Sequence, residues 1–274
     1  MSKNLLFAAD KPCGISCNKF LSQIKKKYGV KKAGYSGTLD VNASGVLIIA
    51  FGQYTKLFRF LKKTPKCYTA VLWLGAKSES LDAEMIESVK ELEPFDLKEI
   101  KQNAAKLIGQ ISYTPPKFSA KRIEGKRAYK LAREGKEFEL KEITTEVFSL
   151  KIKKYEHPFL TFEAEVSEGG YIRSLGAMLA ASLGVDGCLK TLQRESEGEF
   201  KYENEKPLYA PDFLNMEENF YEGNKEDLFL GRALQKERFK KSGPGEYFVI
   251  TDNFLSIVKI EQNGVDYILN KIEI

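Results

Sequence analysis

One carboxylate invites a chemical question before any other residue of this 274-residue chain. Asp40 lies in AGYSGTLDVNASG (33–45), among Gly34, Gly37 and Gly45, and just ahead of the apolar run Val46–Phe51. The first 75 residues hold thirteen Lys and Arg but only one other acid, Asp10. Glycines let a backbone take positive φ and let a large ligand come close. A lone acid in a basic, glycine-rich loop weakens the grip on a polyanion, so its presence makes sense if it acts chemically on that polyanion. It could attack as a nucleophile or remove a proton, and both roles need the ionised form. The same aspartate could equally close an Asx turn or cap a helix, and composition alone leaves these readings level.

Other catalytic chemistries find few residues to use. His157 is the only histidine, and it sits in EHPF, a turn-like stretch between two strand patterns. A Ser-His-Asp or Cys-His mechanism would depend on it, and its expected role is structural. Cys13, Cys17, Cys67 and Cys188 show no CxxC pairing, so reduced thiols are expected, with neither a metal site nor a cofactor. The chemistry is left to carboxylates, tyrosines, lysines and arginines.

These residues need elements to hold them. Leu5–Ala9 reads as a short buried strand ending at the DKP turn. Ser16 is placed to cap a helix running to about Tyr28, because Phe20, Leu21, Ile24 and Tyr28 share one face. Strands are expected at Val46–Phe51 and Tyr68–Leu74, and a helical, acidic stretch from Asp82 to Lys106, stopped by Gly109. Further strands are expected at 145–154 and 159–167, then a helix from Tyr171 to Leu183. Strands and helices do not alternate, which disfavours a doubly wound fold and predicts an α+β domain with a mixed, mainly antiparallel sheet. After about residue 225 the pattern changes to three short strands at 248–251, 255–260 and 266–270, the last two joined by the hairpin pair Asn263-Gly264. The expected division is a catalytic domain of 1–225 and a small β module of 226–274.

Charge points to a partner. The net charge is +5, yet residues 1–75 carry +11 and the remainder −6. Such asymmetry is the electrostatic footprint of nucleic acid, against the plainer reading of a solvated lysine-rich face. Segment 117–136 adds eight basic residues against Glu124 and Glu134. No apolar run approaches the ~20 residues of a membrane span, and the N-terminus lacks the apolar stretch of a signal peptide. A cytoplasmic protein is expected.

Several blocks then carry a resemblance. AGYSGTLDVNASGVLIIAFGQYTK (33–56) is similar to the catalytic motif of the TruB family, the bacterial tRNA pseudouridine-55 synthases, close to GHTGTLDPxATGVLxxxxGxATK. DKPCGISCN (10–18), KCYTAVLWLG (66–75), PPKFSAKRIEGKRAYKLAREG (115–135), SEGGYIRSL (167–175) and LQRESEG (192–198) resemble the family's other blocks, in order. The resemblance implies a pseudouridine synthase fold, isomerisation of the uridine at position 55 in the T-loop of tRNA, base flipping, and no cofactor or metal. It makes Asp40 the catalytic aspartate, Tyr68 the tyrosine that stacks on the target base, and Arg173 the arginine paired with the aspartate. Tyr171 and Leu192 match residues lining the uracil pocket. A bidentate arginine would hold the acid charged where burial raises its pKa.

The family's histidine position is Tyr35 here. Its flat ring could fill the gap left by an extruded base, or it could pack as a core aromatic. The basic segment 115–140 corresponds to a mobile insertion that clasps the T-arm; the plain alternative is a solvated surface helix. Lys121, Arg122, Lys126 and Arg127 are its expected RNA contacts, joined by Lys11 and Lys56. Glu79 in KSESLD stands where the family usually has aspartate. The strands after residue 245 resemble a shortened PUA domain, by position and strand pattern only. A monomer is expected, with no protein partner implied. The rival from another class is an RNA-binding module without turnover, which would gain by losing the acid.

Overall fold

The computed structural model describes residues 4–274. The chain opens with β1 (Leu5–Lys11) and helix α1 (Cys17–Tyr28), whose first turn Ser16 caps by accepting the Lys19 N–H at 3.2 Å, as expected. β2 (Ala33–Ser36), β3 (Ala43–Phe51) and β4 (Lys66–Leu74) follow, with two short 3₁₀ turns before β4. A small hairpin, β5 (Ala76–Ser78) with β6 (Ile86–Val89), leads to α2 (Leu97–Ala105) and β7 (Gly109–Tyr113). The basic segment holds a second small hairpin, β8 (Arg122–Ile123) with β9 (Lys126–Arg127), and the six-residue helix α3 (Ala128–Arg133). Next come β10 (Ile143–Glu156), β11 (Phe159–Val166), α4 (Ile172–Ser182), β12 (Gly187–Glu197) and β13 (Phe200–Lys201). The C-terminal part has β14 (Glu217–Glu218), α5 (Lys225–Leu230), β15 (Gly245–Thr251), β16 (Phe254–Glu261) and β17 (Gly264–Glu273).

The main sheet has nine strands in the order β1-β3-β12-β4-β11-β10-β7, with β2 also on β3 and β13 on β12. All its pairings are antiparallel except β3 with β12. This is the expected mixed, mainly antiparallel α+β architecture. The parallel pair matters most for the site. It sets Leu192 beside Ala43 and Arg194 beside Gly45, while β4 sets Tyr68 beside Arg194 from the other side. Segments distant in sequence thus meet where the Asp40 loop enters β3.

Periodicity follows coverage. Along β4 buried and half-buried positions alternate, whereas β3 is buried at nearly every position because both of its faces are covered. On one face Leu47, Ile49, Leu72 and Phe162 pack with Phe20 and Ile24 of α1, Ile100 of α2 and Leu175 and Leu179 of α4. On the other, Leu6, Ala8, Val46 and Ile48 share a core with Phe248, Leu255, Ile257 and Ile272 of the C-terminal sheet.

Two expectations are corrected. The acidic stretch from Asp82 is not one helix: α2 starts only after Asp96, whose carboxylate accepts the Lys98 N–H at 2.8 Å. Pro94 disfavours a helical residue before it, and clustered glutamates repel one another along 87–93. The C-terminal sheet has four strands, since β14 pairs in parallel with β15. Its first strand therefore precedes the expected boundary at 225, a two-residue pairing too short to leave a sequence pattern.

Candidate active site

The loop carrying Asp40 hangs on the turn after β1. The Gly14 N–H donates to the Val41 carbonyl at 2.8 Å. The Cys17 thiol accepts the Leu39 N–H and donates to the Leu39 carbonyl, both at 3.2 Å. Burial pushes the Cys17 thiol's pKa up, which keeps it a neutral structural link rather than a nucleophile. Gly37 takes a φ of 68°, and a Cβ there would lie 2.4 Å from a carboxylate oxygen of Glu197. No larger residue fits this bend.

Asp40 meets Arg173 at the bottom of a narrow cleft lined also by Asn42, Asp82, Lys190 and Leu192. Arg173 Nε lies 2.9 Å from Asp40 Oδ2. The contact is not the expected two-pronged one. The guanidinium's other groups donate to the backbone carbonyls of Ser80, at 2.7 Å, and Phe118, at 2.9 Å. The arginine is thus held by three segments, and it meets the acid through Nε. Its side chain is 4% exposed, that of Asp40 39%. Desolvation raises the Asp40 pKa above its ordinary value, Arg173 pulls it back, and the charge of Asp82 pushes it up again. The result is an aspartate fixed on one oxygen and open on the other.

A second, closed ionic cluster lies beneath the loop. Arg194 donates to the carbonyls of Val46 and Gly37, each at 2.8 Å, and contacts Glu197 at 3.1 Å. Lys66 reaches the other Glu197 oxygen at 3.2 Å, and both Arg194 and Glu197 are fully buried. Tyr68 stands between the two clusters. Burial pushes its hydroxyl pKa up and the Arg194 guanidinium draws it down, with lesser upward pushes from Glu197 and Asp40.

The other expected residues divide. Leu192 lines the cleft, and half-buried Tyr171 caps α4 two positions before Arg173. Tyr35 is half-buried, packs on the edge of the core, donates its hydroxyl to Asn18 at 3.2 Å and has Arg127 and Tyr129 of the basic segment as neighbours. Arg122, Lys126 and Lys56 are exposed and make no ion pair among the described residues. Arg127 and Lys121 donate to the carbonyls of Ala120 and Lys141 within or beside the segment. Lys11 is a correction. It is fully buried, with Nζ donating to the carbonyls of Pro12 at 3.0 Å and Ile15 at 2.9 Å, so it braces the turn and cannot meet a phosphate from there. His157 sits at the exposed turn between β10 and β11, against Tyr155.

Sequence reasoning missed Asp82, Arg194, Glu197 and Tyr113. Asp82, not Glu79, is the acid at the cleft: it is buried and accepts from Ser80 at 2.6 Å and from the Glu84 N–H at 3.0 Å. Glu79 is exposed and lies 3.8 Å from Lys117. The spacing Ser80-x-Asp82, a serine two residues before an acid, was the available signal. A wider trough of about 540 Å³, with Asp10, Glu163, Glu165 and Glu195 on its walls beside Lys151 and Lys201, is lined by Tyr68 and Arg194 but by neither Asp40 nor Arg173. Among the described residues no three His, Cys, Asp or Glu side chains converge as metal ligands, and no helix is long and apolar enough to cross a membrane.

A mixed, mainly antiparallel sheet carrying an aspartate held by a buried arginine fits the pseudouridine synthase class. The TruB family pseudouridylate synthase (N terminal domain) pattern matches residues 25–172, and the chain belongs to that family. It is 52% identical over 270 residues to tRNA pseudouridine synthase B of Campylobacter curvus, covering 98% of this chain and 99% of the relative. The protein of the same name from Sulfurimonas denitrificans is 52% identical over 271 residues, with the same coverage. Among solved structures, a chain of a Cbf5-Nop10-Gar1 complex superposes with a TM-score of 0.68 at 19% identity, covering 98% of this chain and 84% of that one. That likeness supports the fold. The protein is an isomerase of the pseudouridine synthase class.

Proposed function

We propose that this enzyme converts the uridine at position 55 in the T-loop of tRNA to pseudouridine, as a cytoplasmic monomer and without a cofactor. The observation that carries the reading is the Asp40–Arg173 pair, 2.9 Å apart, with one carboxylate oxygen left open to the cleft. Arg173 pulls the acid's pKa down against its desolvation, and the open oxygen is the atom that attacks C1′ or takes a ribose proton. The glycosidic bond breaks, the uracil turns, and it rejoins through C5. Tyr68 stacks on the base, and Tyr171 and Leu192 line its pocket. A base stacked in folded tRNA must first leave the stack, and Tyr35 fills the space it vacates.

The exposed cations Arg122, Lys126, Arg127 and Lys56, with Lys121, track phosphates of the T-arm. The sheet of β14–β17 serves as a PUA-like RNA-binding module appended to the catalytic domain. The names of the relatives support tRNA as the substrate. The test is to map pseudouridine in tRNA from cells lacking this protein. Loss of the modification at position 55 alone is expected; its persistence there would refute the assignment.

A further inference from the structure

The residues that hold Arg173 come from an unexpected quarter. Helix α4 has no side-chain cap of its own at Tyr171. The first N–H groups of a helix have no partner within it and must find one elsewhere. The Tyr171 N–H finds the hydroxyl of Tyr113, at 2.8 Å. That hydroxyl also meets Thr145 Oγ1 at 3.1 Å, and both side chains are buried. Since the tyrosine oxygen accepts from the N–H, its own proton is free to point at Thr145.

Tyr113 is the last residue of β7, and the chain runs from it through two prolines to Phe118, whose carbonyl accepts from Arg173 at 2.9 Å. One short segment, 113–118, therefore grips the start of α4 twice, by the backbone at Tyr171 and by the guanidinium two residues on. The same segment is the root from which the basic flap of β8, β9 and α3 springs. The fit leaves little slack: a Cβ on Gly170, just before the helix, would lie 2.8 Å from Thr145 Cγ2. A helix seated this closely has one way to sit, and Tyr113 supplies its polar anchor.

We infer that Tyr113 is a positioning residue for the Asp40–Arg173 pair, acting through its hold on the start of α4. The inference rests on the catalytic reading of that pair. It takes its force from the Tyr171 N–H, whose one partner among the described residues is the Tyr113 hydroxyl: if that hydroxyl is lost, the N–H is stranded and the start of α4 can shift. Arg173 then moves relative to Asp40, and Tyr171 relative to the base. A misplacement on the order of 1 Å at reacting groups can cost about 10²-fold in rate.

The charged groups facing Asp40 are Arg173 from α4, Asp82 from the segment after β5, Lys11 from β1, and Lys190, which lines the same cleft from β12. Of these, Arg173 is the principal one that lowers the acid's pKa. Loosening it lets the Asp40 pKa rise, so activity that needs the ionised acid is lost at a higher pH. The acid limb of the rate profile must move upward.

The experiment is single-turnover kinetics on a T-arm RNA across pH, with melting temperature and RNA affinity measured beside it. Tyr113→Phe keeps the ring and removes only the hydroxyl. It is expected to slow the single-turnover rate by roughly tenfold, within the range for misplaced groups, and to move the acid limb to higher pH, with RNA affinity unchanged. Thr145→Val removes a hydrogen bond from the same buried hydroxyl but leaves the Tyr113–Tyr171 contact. It is expected to lower the melting temperature without moving the limb. An unmoved limb in Tyr113→Phe, or equal movement in both variants, would overturn the inference. Arg173→Lys and Asp40→Asn are run alongside. If Asp40→Asn still turns over, the catalytic reading fails; if it is dead and Tyr113→Phe is normal in rate and profile, only the positioning role fails.

Discussion

Two arginine–carboxylate pairs flank the loop at 37–45, and they differ in one respect that decides what each can do. In the Arg194–Glu197–Lys66 cluster arginine and glutamate are fully buried, and both carboxylate oxygens have a cation within 3.2 Å. In the Arg173–Asp40 pair the arginine is also buried and also bonded to two carbonyls, but the carboxylate is 39% exposed and only one oxygen is held. A closed cluster offers a ligand no atom to reach, because its charges are buried against one another. An open carboxylate, raised in pKa by desolvation and restrained by a fixed cation, is placed to react. The lesson is that a buried ion pair becomes a site when the fold leaves one of its atoms open to a ligand.

The contrast can be broken from the closed side first. Glu197→Ala leaves Arg194 and Lys66 buried without their counter-charge, and such losses cost about 3–5 kcal/mol. Unfolding by denaturant should show that loss, while protein that remains folded should keep RNA affinity. A stability change under about 1 kcal/mol would mean that the cluster is not the brace described here.

On the open side, Lys121, Arg122, Lys126 and Arg127 should matter to RNA and not to stability. Neutralising all four should weaken tRNA binding and flatten its salt dependence, by roughly one unit of log–log slope for each phosphate that no longer meets a cation. An unchanged slope would return the flap to a solvated surface.

Tyr35 lies between the two regimes, half in the core and half beneath the flap. Tyr35→Ala should cost about 1–3 kcal/mol in base stacking and act more strongly on folded tRNA than on an unstructured RNA. Tyr35→Phe and Tyr35→His should stay active. If Tyr35→Ala lowers the melting temperature and affects both RNAs alike, the ring is a core aromatic.

Much of this was legible in the sequence, for identifiable reasons. Asp40 stood out because it interrupts a basic, glycine-rich stretch, although only the family resemblance separated a catalytic role from a turn, and α1 could be found because Ser16 and the spacing of Phe20 and Ile24 are local signals. The strands β10 and β11 follow from their alternating patterns. What stayed hidden depends on contacts across the chain. The single-edged grip of Arg173 follows from carbonyls at Ser80 and Phe118, far off in sequence. Lys11 reads as a surface cation, yet folds its ammonium back onto the turn it begins. Glu197 sits in LQRESEG with no periodicity to mark it as buried. The hairpin β8–β9 is two residues a side, turning at Glu124-Gly125, and is too short and polar for a strand pattern.

The measurement that bears most directly on the open pair is Asp40→Asn, assayed for single-turnover pseudouridine formation, tRNA affinity and melting temperature together. Desolvation raises the folded-state pKa of Asp40. Ionisation is therefore a cost to the folded state, present above that pKa and relieved as pH falls through it. Asparagine removes that cost but also takes the counter-charge from the buried Arg173, two effects of opposite sign, so the variant should stay folded and melt within about a few degrees of the parent. Its tRNA affinity should be intact or raised, since a negative charge near phosphates is gone, while turnover falls by on the order of 10⁴-fold. Turnover well above a trace, in a variant that binds tRNA and melts normally, would contradict the central claim that Asp40 carries the chemistry.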